Sequence, residues 1–136
     1  MLTVLLDTNV VLDTLSSRDG FRDVSDKIFS LLAKEKLVGY ITASSITDIY
    51  YILRRQLPDK SCRDLLHELF SLVTVLPVFY DDCLAALNSP IIDYEDALVD
   101  VCRQNANIDY IITRDQDFLK IDGTISPTDF LKQHQF

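Results

Sequence analysis

Apolar positions fall into two kinds of run along this chain. Short runs, Leu2-Thr3-Val4-Leu5-Leu6, Val38-Gly39-Tyr40-Ile41, Val73-Thr74-Val75-Leu76 and Tyr110-Ile111-Ile112, are rich in β-branched and aromatic residues and read as strands. Between them the apolar residues recur at helical spacing. Val24, Ile28, Leu31 and Leu32 predict a helix to about Lys36, and Ile46, Ile49, Tyr50 and Leu53 predict another ending near Pro58. Strand runs alternating with helical stretches predict an α/β fold.

Cap and turn residues divide the rest. Asp7 or Thr8 caps a short helix through about Ser16, which Ser17-Arg18-Asp19-Gly20 breaks. Ser44 or Ser45 is the expected cap of the helix carrying Ile46. Residues 60–71 read as a helix, and Pro77 stops the third strand. Asp81 or Asp82 caps a helix through about Leu87, Ser89-Pro90 makes a turn, and Ile92-Asp93 opens a helix to about Gln104. After strand 110–112 comes a loop containing Asp117-Phe118. Ser126-Pro127-Thr128 then leads into a last short helix over residues 128–134. With no repeat, linker or low-complexity tract, residues 1–136 are expected to form a single domain, and a hydrophobic content of 48% suits one core.

Two of the strand runs stop abruptly at acids. The first ends in Asp7-Thr8-Asn9 and the last in Thr113-Arg114-Asp115. In open sheets of parallel strands, ligands collect outside the carboxyl edge. Asp48 falls early in the third helix, Asp96 in the first turn of the helix opening at Asp93, and Asp115 or Asp117 after the last strand, so parallel strands would bring all of them to one edge. Converging acids repel one another and some pKa values rise unless a cation intervenes. Mg²⁺ and Mn²⁺ are hard ions that prefer such oxygen ligands. An ion there would lower the pKa of its water and stabilise charge on a phosphodiester, and two ions about 3.5–4 Å apart would clamp both sides of the displacement. The sequence leaves one ion or two open. Thr8, Asn9, Ser44 and Thr113 are hydrogen-bonding residues beside these acids, suited to orienting carboxylates or waters.

Charge narrows the choice of partner. The net charge is −8, and residues 81–129 hold eleven acids against three bases, while residues 1–80 hold ten against nine. The chain therefore lacks the broad positive face of a duplex-DNA binder. Arg54, Arg55, Lys60 and Arg63 form the dense basic cluster, read either as a solvated face or as a guide for RNA or an acidic partner. Arg114 is placed either to contact a phosphate bidentately or to bridge a carboxylate. Asp93 and Glu95 read as cap or solvated acids. His67 among Leu65, Leu66 and Leu69 reads as structural, and His134 as exposed. Tyr50-Tyr51 reads as core or dimer-face packing rather than a base-stacking pair.

Other chemistries are disfavoured. Cys62, Cys83 and Cys102 form no CxxC pair and have no nearby histidine, so they read as buried apolar residues rather than zinc ligands or disulfides. Three glycines, with neither GxGxxG nor GxxxxGK[ST], exclude a glycine-rich nucleotide loop. The start MLTVLLD has neither a basic n-region nor the length of a membrane span, so a cytoplasmic protein is expected.

The segments LLDTNVVLD, YITASSITDIYYIL, DYEDALVDVCRQN and YIITRDQDF, in this order, resemble the PIN domain over almost the whole chain. The resemblance is to the small bacterial or archaeal kind that includes VapC-type toxins. It implies a three-layer α/β/α sandwich with a central parallel sheet, an Mg²⁺- or Mn²⁺-dependent endoribonuclease, frequent homodimers, and a small antitoxin completing a type II toxin–antitoxin pair. Carried over by position, Asp7, Asp48, Asp96 and Asp115 would be the catalytic acids, with Asp117 able to share or replace the fourth as a metal ligand. Thr113 matches the family's hydroxyl residue after the last strand. The family usually has Glu where this chain has Asp48, one methylene shorter, which would reach an ion through water.

Rival readings separate on single positions. A haloacid-dehalogenase-type phosphatase needs a second Asp where Asn9 stands, and a receiver domain needs a lysine pattern that Thr113-Arg114-Asp115 does not supply. The rival that remains is a catalytically silent PIN-like binding or assembly module.

Overall fold

The computed structural model describes residues 1–134. Strand β1 (Thr3–Leu6) leads into helices α1 (Thr8–Leu15) and α2 (Arg22–Ala33). Strand β2 (Val38–Thr42) follows, then α3 (Ala43–Arg54), α4 (Asp59–Leu72) and strand β3 (Val73–Leu76). Helices α5 (Tyr80–Leu87) and α6 (Tyr94–Asn105) precede β4 (Tyr110–Ile112). A 3₁₀ turn (Phe118–Lys120), β5 (Thr124–Ile125) and α7 (Pro127–Gln133) complete the described chain.

The five strands form one sheet in the order β3-β2-β1-β4-β5, and every pairing is parallel. Parallel neighbours require crossovers, and right-handed crossovers decide which face each helix covers. The chain moves outward from β1 through β2 to β3 and then returns past β1 to β4. This reversal sends α5 and α6 to the opposite face from α1–α4, giving the expected three-layer α/β/α sandwich.

Burial follows the strand period of two. Val4 and Leu6 of β1 and Ile112 of β4 join Val10, Ile28, Ile49, Leu69 and Phe130 on one face. Leu5 and Ile111 point the other way, to Val99 of α6, Ile108 and Phe118. Gly39 lets α2 approach β2 closely, since a Cβ there would stand 2.7 Å from the Leu32 Cδ2 atom. Among the described residues no helix is long and apolar enough to cross a membrane.

Several local expectations change. Strand β5 is an addition to the four expected strands: its two residues pair with β4 along a loop that carries no apolar run. Helix α3 starts at Ala43 with Thr42 as its cap, and neither Ser44 nor Ser45 caps it. Instead the Thr42 hydroxyl shares hydrogen bonds of 2.9 Å with both serine hydroxyls. Helix α5 starts at Tyr80, with Asp82 inside its first turn accepting the Phe79 N–H at 2.9 Å. His67 is exposed rather than structural, because it lies on the outer face of α4. His134 is only partly exposed, its ring set against Tyr110 and Phe130 at centroid distances of 5.3 and 5.0 Å. Cys62 and Cys102 are buried and Cys83 partly so, all as free thiols.

Candidate active site at the carboxyl edge of the sheet

The strand order reverses between β1 and β4, and a crevice outside the carboxyl ends of these two strands is where an open α/β sheet binds its ligands. Asp7 follows β1 there and Thr113 follows β4. The Asp7 N–H donates to the Ile112 carbonyl at 3.0 Å, continuing the ladder one residue past β1. The Asp7 carboxylate accepts three hydrogen bonds: from the Thr8 N–H at 2.9 Å, which caps α1, from the Thr113 hydroxyl at 2.7 Å, and from the Asn9 amide at 3.3 Å. Thr113 is fully buried, and its oxygen also accepts the Asp115 N–H at 3.1 Å. The Asn9 side-chain oxygen accepts the Arg114 N–H at 3.2 Å. The two motifs at the strand ends are therefore one hydrogen-bonded unit.

Asp7, Asp48, Asp96 and Asp115 all line one cleft of about 460 Å³, with Thr8 and Asn9 beside them. Asp48 comes from the exposed side of α3. Asp96 comes from the first turn of α6, its N–H donating to the capping Asp93 carboxylate at 3.0 Å. Asp93 and Glu95, expected only as cap or solvated acids, line the cleft as well. So do Arg18, Tyr51 and Arg55. The signal for Glu95 was its place directly before Asp96 on a helix start. For Tyr51 and Arg55 it was the α3 spacing of three and seven residues from Asp48, which puts them on the same helix face.

Five candidates lie outside this lining. Thr113 is buried, with its hydroxyl bonded to Asp7. Ser44 turns to Thr42. Asp117 is exposed, pairs with Lys120 at 3.2 Å, and lines a neighbouring depression that also reaches Asp96. Arg54 donates to the Leu57 carbonyl at 3.0 Å. Arg114 grips Asp13 through two hydrogen bonds of 2.6 and 2.8 Å and lies 3.7 Å over the Phe21 ring, away from the acids.

Crowding changes how these acids hold protons. Burial pushes the Asp7 carboxyl up; the Thr113 hydroxyl and Thr8 N–H pull it back, and the charges of Asp115 and Asp93 push it up again. Asp96 is raised to about 7 by partial burial, then by Asp93, Asp7, Asp115 and Glu95. Glu95 is raised by loss of solvent and by the neighbouring charge of Asp48, then by Asp7 and Asp93. Among the described residues none of Asp7, Asp48, Glu95, Asp96 and Asp115 has a salt-bridge partner. Oxygen donors that repel one another and have no salt-bridge partner fit a hard divalent ion by their chemistry. As the side chains stand, no three such groups among the described residues are drawn close enough to hold one.

The PIN domain family model matches residues 3–117, a span containing every one of these acids. The chain belongs to the PIN domain family. Solved structures share the PIN fold at low identity. The VapC20 toxin of Mycobacterium tuberculosis, which cleaves the sarcin–ricin loop, superposes with a TM-score of 0.69 at 15% identity, over 86% of this chain and 93% of that one. VapBC2 of Rickettsia felis, bound to a DNA fragment from its promoter, gives 0.69 at 16% identity over 92% and 97%. A Klebsiella pneumoniae toxin–antitoxin complex gives 0.69 at 18% identity over 91% and 97%. No curated protein matches the sequence significantly.

Proposed function

We propose that this PIN domain is a cytoplasmic, divalent-metal-dependent endoribonuclease that hydrolyses RNA phosphodiester bonds, and that it is the toxin of a type II toxin–antitoxin pair. The observation that carries this reading is the meeting of Asp7, Asp48, Asp96 and Asp115, from four separate elements, in one cleft without salt-bridge partners among the described residues. The fold shared with toxin structures supports the toxin assignment and a small antitoxin as partner.

Asp7, Asp96 and Asp115 would hold Mg²⁺ or Mn²⁺, with Asp117 at the rim. Such an ion, when bound, supplies a water of lowered pKa and neutralises charge on the scissile phosphate. The chain's own residues do the rest. Thr113 and Asn9 fix the Asp7 carboxylate. Asp48 and Glu95 line the same cleft and their charges interact, so Glu95 would restore the reach that Asp in place of Glu gives up. Arg18 and Arg55 supply the cleft's positive charge against the phosphate backbone. A homodimer is part of this reading: Phe79, Tyr80, Leu84 and Leu87 on or beside α5, with Ile92, are exposed large apolar residues of the kind that mark an association surface.

The test is cleavage of a mixed structured and single-stranded RNA pool with Mn²⁺, Mg²⁺ or EDTA, beside Asp7→Asn and Asp96→Asn. Metal-dependent cleavage lost in both variants supports the proposal. No cleavage above the variants, with every protein shown to be folded, replaces it with a PIN-like binding or assembly module.

A further inference from the structure

Helix α3 presents more than an acid to the cleft. Asp48, Tyr51, Ile52 and Arg55 recur at helical spacing and all line it. Tyr51 keeps 65% of its surface exposed, although it is an aromatic residue in the middle of a helix. Its ring is not loose: Tyr50 packs edge-on against it at a centroid distance of 5.1 Å, and the Tyr50 hydroxyl is in turn hydrogen-bonded to Asp59. Asp59 is held by Arg63 at 2.8 Å. Arg55 is exposed, and among the described residues its guanidinium has neither an ion-pair nor a side-chain hydrogen-bond partner. It stands seven residues from Asp48, about 10 Å along the helix. A phosphate meeting Arg55 is therefore a neighbour of the one facing the acids.

We infer that Tyr51 and Arg55 form a platform for single-stranded RNA, Tyr51 stacking on an unpaired base beside the scissile bond and Arg55 holding the adjoining phosphate. The choice of RNA rests on the ribonuclease reading above. An aromatic face reads a base only when that base is unstacked, so the platform discriminates against duplex. A supported ring loses little freedom on binding, and an unpaired guanidinium gives up no protein partner to take a phosphate. Of the pair read as core or dimer-face packing, Tyr51 is not in the core, since 65% of its surface is exposed. Tyr50 does pack; Tyr51 faces the cleft.

The experiment measures binding of a fluorescein-labelled single-stranded RNA, and of the same RNA annealed to its complement, by anisotropy with Ca²⁺ in place of Mg²⁺. The full chain is compared with Tyr51→Ala, Tyr51→Phe and Arg55→Ala, each checked by thermal melting, and cleavage is followed separately in Mn²⁺. The expected results are preference for the single strand, affinity lowered roughly 5- to 100-fold by Tyr51→Ala, and near-full retention by Tyr51→Phe. Arg55→Ala should reduce the slope of log affinity against log salt by about 0.7, the loss of one phosphate contact, which Tyr51→Ala should leave alone. In cleavage, Tyr51→Ala should raise KM more than it lowers kcat. Equal binding of single strand and duplex, or unchanged affinity in Tyr51→Ala, overturns the platform, as does unchanged RNA affinity with loss of a co-purified protein partner. If the variant effects on binding persist while no metal-dependent cleavage occurs, the platform stands and the nuclease reading falls. Metal-dependent cleavage by Tyr51→Ala at the wild-type KM removes the platform and leaves the nuclease reading in place.

Discussion

Arg114 and Asp13, 101 residues apart in the chain, meet as a two-pronged ion pair of 2.6 and 2.8 Å, with Asp13 only 1% exposed. Phe21 covers the guanidinium from one side. The pair ties the end of β4 to α1, the carboxylate-bridging arrangement of the two read for Arg114. Removing one partner of a buried pair leaves an uncompensated charge. Asp13→Ala is expected to lower unfolding free energy by about 3–5 kcal/mol in urea denaturation. At temperatures where it remains folded, its KM for RNA should match the wild type; a large rise in KM with unchanged stability would return Arg114 to the substrate.

Thr113 holds Asp7 by a hydroxyl that favours the charged carboxylate, so its removal leaves burial and the neighbouring acids unopposed. Thr113→Val should therefore raise the Asp7 pKa further and move the acid limb of the pH–rate profile upward. Its stability cost is expected to be about 1 kcal/mol. Thr113→Ser should restore the profile. An unchanged limb in Thr113→Val would separate the hydroxyl from the chemistry.

The raised acids make stability depend on pH in a definite direction. Asp96 binds its proton up to about 7 in the folded chain against 3.8 as its ordinary value, so between these pH values the folded state holds more protons than the unfolded state. Stability then falls as pH rises through that window. A bound cation relieves the same repulsion. Mn²⁺ should raise Tm more at pH 7.5 than at pH 5, and EDTA should reverse the gain; equal shifts at both pH values would argue against binding at these acids.

Glu95 and Asp48 both line the cleft, and the charge of Asp48 helps push the Glu95 carboxyl up. Glu95→Gln should raise the Mn²⁺ concentration for half-maximal cleavage by about tenfold or more, as Asp48→Asn should. Asp93→Asn keeps an oxygen to accept the Asp96 N–H and should leave helix α6 intact by circular dichroism. Wild-type metal dependence in Glu95→Gln would reduce Glu95 to a bystander.

Much of the frame was legible because its signals are local. The four apolar runs became four of the five strands, and Asp7, Asp48, Asp96 and Asp115 each sat just past a strand or near a helix start, where parallel pairing gathers them. The DTN and TRD segments announced themselves by ending their strands in polar residues. Strand β5 escaped because Thr124–Ile125 has no run of its own and is a strand only by pairing with β4.

What the sequence by itself determined was the alternation of elements, their approximate ends and the edge at which the acids would meet, since period, caps and breakers act over a few residues. Only the tertiary structure decided where individual side chains went. It turned Arg114 to Asp13, His67 outward, His134 onto Tyr110, and Glu95, Tyr51 and Arg55 into the cleft. Each of these outcomes depends on how a helix is rotated about its axis or on a partner far away in the chain. Packing sets both: local spacing aligns Tyr51 and Arg55 with Asp48 on one helix face, but it does not say that this face meets the cleft.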